Sequence, residues 1–360
     1  MATITQEGVI EQLRAVLDPE LDKDLVTLEM IKEVKISGGV VLVHVELTTP
    51  ACPLKDQIGK DVDQAIRRIP GVERVDIQWS ARVRSSRPGS TQLPGIKNII
   101  SVGAGKGGVG KSTASVLLAT GLQRAGATVG LLDADVYGPS IPTMTGVEGE
   151  KPRAIEDRFL PIEKNGIKIV SIGFMVDRDQ PLIWRGPMVH GVIKQFLEQF
   201  DWGELDYLIV DLPPGTGDVP LTLAQSIPGM TGAVIVCTPQ DVALIDARRA
   251  IGMYRQLNIH CLGIIENMSY YLCPKCGNRD ELFDHGGAAA TAKELGVPFL
   301  GEIPLNADLR RHGDAGTPHE SFTATPDYVR DAIARVVANL AGQVSKRSVA
   351  QVNVPTLTIE

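Results

Sequence analysis

The run Gly105-Lys106-Gly107-Gly108-Val109-Gly110-Lys111-Ser112, set between the apolar stretch NIISV and the helical stretch TASVLLATGLQ, constrains the fold more than any other part of the chain. It fits G-x4-G-K-[ST] in its proper context, after a strand and before a helix. Glycines are needed there because backbone N–H groups must turn inward around phosphate oxygens without interference from a Cβ atom. The spacing predicts that Lys111 neutralises the β and γ phosphates of ATP. Ser112 is expected to ligate Mg²⁺, and Thr113 to follow it at the start of the helix.

Two acidic strand ends complete this expected site. Leu131-Leu132-Asp133-Ala134-Asp135 and Tyr207-Leu208-Ile209-Val210-Asp211 each put carboxylates at the carboxyl end of a short apolar run. Asp211 is expected to hold Mg²⁺ through water, and Asp135 to orient the attacking water. The loop LPPGTGD after Asp211 suits a switch that senses the γ-phosphate.

From Ile96 onward the apolar runs NIISV, TVGLLD, YLIVD, AVIVC, LGIIE and PFLGEIP lack strict alternation, as strands buried on both faces do. Their spacing leaves room for crossover helices, so a doubly wound, mainly parallel α/β sheet is expected over residues 96–342. Before it, residues 1–80 read as a small α+β unit of order αββαβ. Val9, Leu13, Val16 and Leu17 recur at helical spacing until Asp18-Pro19, and a hairpin turns at Ser37-Gly38-Gly39. Leu54, Ile58, Val62 and Ile66 form one helical stripe, and Val75, Ile77 and Trp79 alternate as a last strand. Residues 81–95, rich in Arg, Ser, Pro and Gly, read as a mobile, extended linker, and residues 343–360 as a loosely attached tail.

A net charge of −7 argues against non-specific binding to nucleic acid or anionic lipid. No apolar run approaches the ~18 residues of a membrane span, and the start MATITQEGVIEQ lacks the order of a secretory signal, so the expected compartment is the cytoplasm. Five cysteines, two of them as Cys273-Pro-Lys-Cys276, fit thiolate chemistry better than a disulfide framework. Cys237 and Cys261 lie in apolar runs and read as core residues.

With its second lysine, Lys106, the phosphate loop resembles the deviant Walker A family of dimeric ATPases, the MinD/ParA-like superfamily. That resemblance implies that Lys106 acts in trans on the partner's nucleotide, so that Lys106, Lys111 and Asp135 form the catalytic set of a homodimer. One C-x-x-C pair supplies only two metal ligands, and a two-fold axis would bring the pairs of two protomers to one centre. Spacing alone leaves zinc and an iron-sulfur cluster both open.

Taken in order, the phosphate loop, DADVYGPS, WRGPM (Trp184 to Met188), DLPPGTGD, ENMS and CPKCG closely resemble the Mrp/ApbC family of P-loop iron-sulfur cluster carriers, from about Ile96 to Thr317. The resemblance implies that Cys273 and Cys276 of two subunits hold a transferable [4Fe-4S] cluster and that Asn267 contacts the adenine. It further implies slow ATP hydrolysis, with cluster scaffold proteins and recipient iron-sulfur apoproteins as partners. DPEL at Asp18 and TTPACPL around Cys52 resemble the MIP-type domain of iron-sulfur assembly factors, although Glu29 stands where that family has glycine. Cys52, just ahead of a helix, is a candidate thiolate of lowered pKa. The alternatives are a zinc-bridged targeting ATPase and a partition or positioning ATPase. The chain shows neither the Met-rich or Leu-rich insert of the first nor the membrane helix or basic face of the second.

Overall fold

The computed structural model describes residues 4–87, 92–174 and 186–352. The amino-terminal unit is built from helix α1 (Gln6–Leu13), strands β1 (Ile31–Ser37) and β2 (Val40–Leu47), helix α2 (Lys55–Arg67) and strand β3 (Arg74–Ala81). Thr5 caps α1 by accepting the Gly8 N–H at 3.1 Å. The period-2 pattern of β2 works as expected: Val41, Val43, Val45 and Leu47 are buried against Ile58, Val62 and Ile66 of α2 and against Val9 and Leu13 of α1. β1 pairs antiparallel with β2 across Gly38-Gly39, and β3 pairs parallel with β2 because α2 makes the crossover.

Helix α1 stops earlier than the apolar spacing suggested. It ends at Leu13, and Leu17 pairs with Asp24 in a two-residue ladder, leaving its side chain 51% exposed. The Asp18 carboxylate accepts the N–H groups of Glu20 and Leu21 at 2.8 and 3.0 Å, so the DPEL turn is held by its own aspartate. Glu29 adopts φ +56°, a left-handed conformation that favours glycine. A side chain there costs about 1–2 kcal/mol, whereas glycine adds about 0.5–1 kcal/mol of chain entropy to lose on folding. Glu29→Gly is therefore expected to stabilise the protein by somewhat under about 1 kcal/mol. A denaturant midpoint unchanged or lowered in the variant would contradict this.

The described parts of the segment expected to be a mobile linker, residues 81–87 and 92–95, are docked instead. Val83, Ser86 and Arg87 are buried, and the Arg87 guanidinium donates to the carbonyls of Gln92, Leu93 and Ile96. The Asn98 amide donates to Arg84 O and its oxygen accepts the Ser86 N–H. A planar guanidinium and one buried asparagine thus satisfy backbone groups that a solvated linker would leave to water.

The large unit contains strands β4 (Ile99–Gly103), β5 (Val129–Asp133), β6 (Ile162–Lys164), β7 (Ile167–Ser171), β8 (Tyr207–Asp211), β9 (Gly232–Cys237), β10 (Cys261–Leu272) and β11 (Phe299–Leu305). The parallel order is β7-β5-β8-β4-β9-β10-β11, with β6 antiparallel at the β7 edge and Arg279–Asp280 antiparallel to the end of β10. β4, β5, β8 and β9 are buried along their whole length, as their unalternating sequences require. One face packs on helix α3 (Lys111–Arg124) and the long helix α6 (Asp327–Val352), the other on α4 (Asp241–Gln256) and α5 (Gly287–Leu295). The doubly wound class read from the sequence is the architecture observed.

The carboxy-terminal expectation fails over residues 343–352, which continue α6; Val344 and Ser348 are 1% exposed. The helix runs from the sheet core, through Val336 and Leu340, to Val349 on the core of the small unit. Thr49 Oγ1 and Tyr207 Oη, 3.2 Å apart, form a second link between the units. Residues 353–360, and Trp184 and Arg185 of WRGPM, lie outside the described residues.

Candidate functional site

Strand β4 ends at Gly103 and the loop closes onto α3, whose N-cap is Gly110. Gly108 and Gly110 have φ of +81° and +82°, so a side chain at either is strained, and a Cβ on Gly110 would stand 2.1 Å from Asn267 Nδ2. Gly105 is needed for a different reason: its missing Cβ would collide with the Asp246 backbone at 2.3 Å. The loop encloses a cavity of about 240 Å³ lined by Lys106, Lys111, Ser112, Asp135 and Pro214. Thr113, Ser140 and Met144 are shared with a neighbouring cavity of about 550 Å³, which continues past Asn267, Met268, Leu305 and Arg310. A phosphate-sized compartment opening into a larger, more apolar one has the form of a nucleotide site.

The sheet brings the predicted carboxylates to this cavity. β8 and β5 flank each other next to β4, so Asp211 and Asp133 are register partners at their carboxyl ends. Lys111 Nζ lies 2.7 Å from Asp211 Oδ2 and 3.4 Å from Asp135 Oδ2. Ser112 Oγ donates to the same Asp211 oxygen at 2.7 Å, and Ser115 Oγ donates to the other at 2.6 Å. Ser115, one turn beyond Lys111, was not singled out in the sequence; its place on the helix face above β8 was the available signal. The paired hard oxygens of Ser112 and Asp211 fit Mg²⁺.

Burial raises the Asp135 carboxyl above the ordinary carboxylate range, against the lowering effect of the Lys111 ammonium. Asp133 plays a structural part instead. It is fully buried and accepts the N–H groups of Asp135 and Ile141 and the Ser171 hydroxyl. Burial first, and then the charge of Asp211, pushes it up to about 8. An acid whose folded-state value exceeds its unfolded value of about 3.9 holds its proton in the native state. Its stabilising contribution is complete below about pH 4 and is lost as pH rises toward 8. Asp133→Asn is expected to flatten the fall in urea midpoint between about pH 4 and 8. An unaltered slope would show that Asp133 does not set it.

Asn267, expected to contact the adenine, has its amide on the phosphate loop: Nδ2 donates to Val109 O at 2.9 Å. It braces the phosphate loop while lining the base-sized cavity. Cys273 and Cys276 follow directly on β10, half-buried and exposed respectively. Gly277, at φ +73°, turns the chain so that its N–H reaches Cys273 O and the Cys273 N–H reaches Asn278 O, both at 2.9 Å. The N–H groups of Cys276 and Lys275, and then the Cys276 thiol, lower the Cys273 thiol below its ordinary value. This is a knuckle that presents two sulfurs on the surface, the thiolate form of the first favoured by its neighbours.

The other cysteines differ. Burial pushes Cys237 up to about 12 and Cys261 up to about 11, in keeping with a core role. Cys52 contradicts the lowered value expected of it: burial raises it to about 11, outweighing the N–H groups of Leu54 and Lys55, with Asp18 and Glu20 adding to the rise.

The parallel sheet, the glycine loop and the lysine–carboxylate cluster define a P-loop nucleotide-binding protein. Residues 95–344 match the family of NUBPL iron-transfer P-loop NTPases, and residues 6–78 match an iron-sulfur cluster assembly protein domain. The chain belongs to that NTPase family. It is 49% identical over 350 residues to an iron-sulfur cluster carrier protein of Synechocystis, covering 95% of this chain and 98% of that one. It is 50% identical over 347 residues to one of Deinococcus radiodurans, covering 96% and 97%. A nucleotide-binding protein of Archaeoglobus fulgidus, solved with ADP and with cobalt found in it, is similar over 66% of this chain and 92% of its own, at 42% identity and a TM-score of 0.58. No helix among the described residues is long and apolar enough to cross a membrane.

Proposed function

We propose that this chain is an ATP-dependent iron-sulfur cluster carrier that works as a homodimer, holding a [4Fe-4S] cluster on Cys273 and Cys276 of two protomers and passing it to apoproteins. The observation that carries the reading is the surface knuckle, in which Gly277 turns the chain back onto Cys273 and leaves Cys276 exposed beside it. Two thiolates per chain make half of a four-sulfur centre, and a two-fold axis supplies the rest. The names of the relatives at 49% and 50% identity support the same cargo.

ATP occupies the Gly105–Ser112 loop, with its base in the cavity beside Asn267 and Met268. Lys111 turns from Asp211 to the β and γ phosphates, which leaves Ser112 and Asp211 to hold Mg²⁺. The ion supplies positive charge against the phosphate oxygens. Asp135 orients the attacking water, and Lys106, at the mouth of the phosphate cavity, completes the partner's site. Hydrolysis is slow, and it acts on the cargo through the loops that follow Asp135 and Asp211.

Zinc fits the same knuckle and is the alternative metal, as in a zinc-bridged ATPase for targeting or partition. Transfer separates the readings. After anaerobic reconstitution with iron and sulfide, the protein is expected to restore activity to an iron-sulfur apoenzyme faster than free iron and sulfide do. No rate advantage over the free ions would sink the carrier reading.

A further inference from the structure

Strand β10 carries the side chain that grips the phosphate loop and leads directly into the thiolate pair. Asn267 is bonded to Val109 O, and Cys273 follows six residues later. Pairing with β11 is irregular in between. Asn267 opposes Ile303 and Tyr271 opposes Leu305, so four steps along β10 are matched by two on β11. The excess chain begins at Met268, whose φ of +55° is left-handed, so the bulge holds strain that its surroundings must maintain.

Ser269, fully buried, sits inside this bulge between two carboxylates: its Oγ is 2.6 Å from Glu266 Oε1 and 3.1 Å from Glu302 Oε2. A hydroxyl has one proton to donate, so it serves one carboxylate at a time. The two acids are register partners on neighbouring strands, Glu266 on β10 and Glu302 on β11, and both reach the segment 285–288. Glu266 accepts the N–H groups of Gly286 at 3.2 Å and Ala288 at 2.8 Å, which ties it to the start of α5. Glu302 lies 2.6 Å from His285 Nε2, and His285 contacts the Arg279 guanidinium at 2.7 Å. Arg279 stacks 4.0 Å above the Tyr270 ring and pairs with Leu272, the residue before Cys273. Glu266 thus leads to the start of α5, and Glu302, through His285 and Arg279, leads to the residue before Cys273.

We infer that Ser269 is a positioning residue for the thiolate pair: its hydroxyl, shared between Glu266 and Glu302, sets the bulge at Met268 and so couples the phosphate loop, through Asn267, to the placing of Cys273 and Cys276. The inference rests on the metal-carrying reading above. A displacement of Val109 by bound phosphates pulls on Asn267, and the Ser269 hydroxyl, within reach of both carboxylates, answers by donating to Glu266 or to Glu302. That is what a two-state coupling element requires.

The test uses the full chain, with cobalt(II) as the probe and excess Mg²⁺ present. The absorption of thiolate-bound cobalt is titrated with and without a non-hydrolysable ATP analogue. In the wild type, nucleotide is expected to change the apparent cobalt affinity by roughly fivefold or more. Ser269→Ala is expected to keep thiolate-bound cobalt and nucleotide binding while the change shrinks below about twofold, and Ser269→Thr, which restores the hydroxyl, to recover it. Should Ser269→Ala fold poorly, Glu302→Gln, at a position 28% exposed, makes the same comparison. An undiminished change in Ser269→Ala or in Glu302→Gln would overturn the inference, as would a wild type whose cobalt affinity ignores nucleotide. A wild type with no thiolate-bound cobalt overturns the metal-carrying reading itself, and the coupling falls with it.

Discussion

Lys111→Ala is expected to abolish nucleotide binding and to destabilise the nucleotide-free protein at the same time. Lys111 is 6% exposed and faces Asp211, which is 0% exposed, at 2.7 Å and Asp135 at 3.4 Å. Among the described residues its ammonium is the nearest counter-charge to both acids. Its removal strands two carboxylates in a buried pocket, a loss of about 3–5 kcal/mol for a broken buried pair. For a chain of this size that corresponds to a fall in melting temperature on the order of 10 °C. The two effects separate in one assay, because Mg²⁺-ATP should raise the wild-type melting temperature and leave the variant's unmoved. A variant that melts like the wild type, or still responds to ATP, would place the phosphate contact elsewhere.

Cys276→Ser is expected to bring bound iron after reconstitution to background and to weaken the dimer. One substitution removes a ligand from each protomer, hence two from a centre on a two-fold axis, and a hydroxyl does not replace a thiolate as a soft ligand. Cys261→Ala is the matched control. That thiol is 6% exposed and its pKa lies near 11, so its loss should cost about 1 kcal/mol of packing and leave iron content as in the wild type. Equal loss of iron in both variants would mean that folding, and not ligation, explains the first result.

The elements read most directly from the sequence were those whose signal is local. Apolar runs such as YLIVD and AVIVC could be buried strands without any knowledge of their neighbours, and each is buried along its whole length. The glycine loop was legible for the same reason, since its conformation is a property of its own backbone. What stayed hidden depends on partners distant in sequence. The linker looked polar and mobile because nothing local reveals that the Arg87 guanidinium finds three carbonyls to bond. The last turns of α6 looked unpatterned because the helix changes partner along its length, from the sheet core to the small unit.

Cys52 was misread because a helix terminus is visible in sequence and desolvation is not. Ser115 and Glu302 carry no motif of their own, and Ser269 lies in ENMS without revealing its partners; only the fold shows that Ser115 meets Asp211 and that Ser269 meets Glu266 and Glu302. Glu29 runs the other way. A departure from a family glycine proved to mark a left-handed residue, so a sequence anomaly located a backbone constraint.

The measurement closest to the central claim is the composition and mass of the anaerobically reconstituted full-length protein. Iron, acid-labile sulfide and zinc would be determined on the same gel-filtration fraction. The proposed function predicts a dimer with four irons and four sulfides shared between two chains, coloured in the visible, with the iron lost in Cys276→Ser. A colourless dimer with one zinc per pair of chains, or a monomer that retains its full complement of iron, would contradict it.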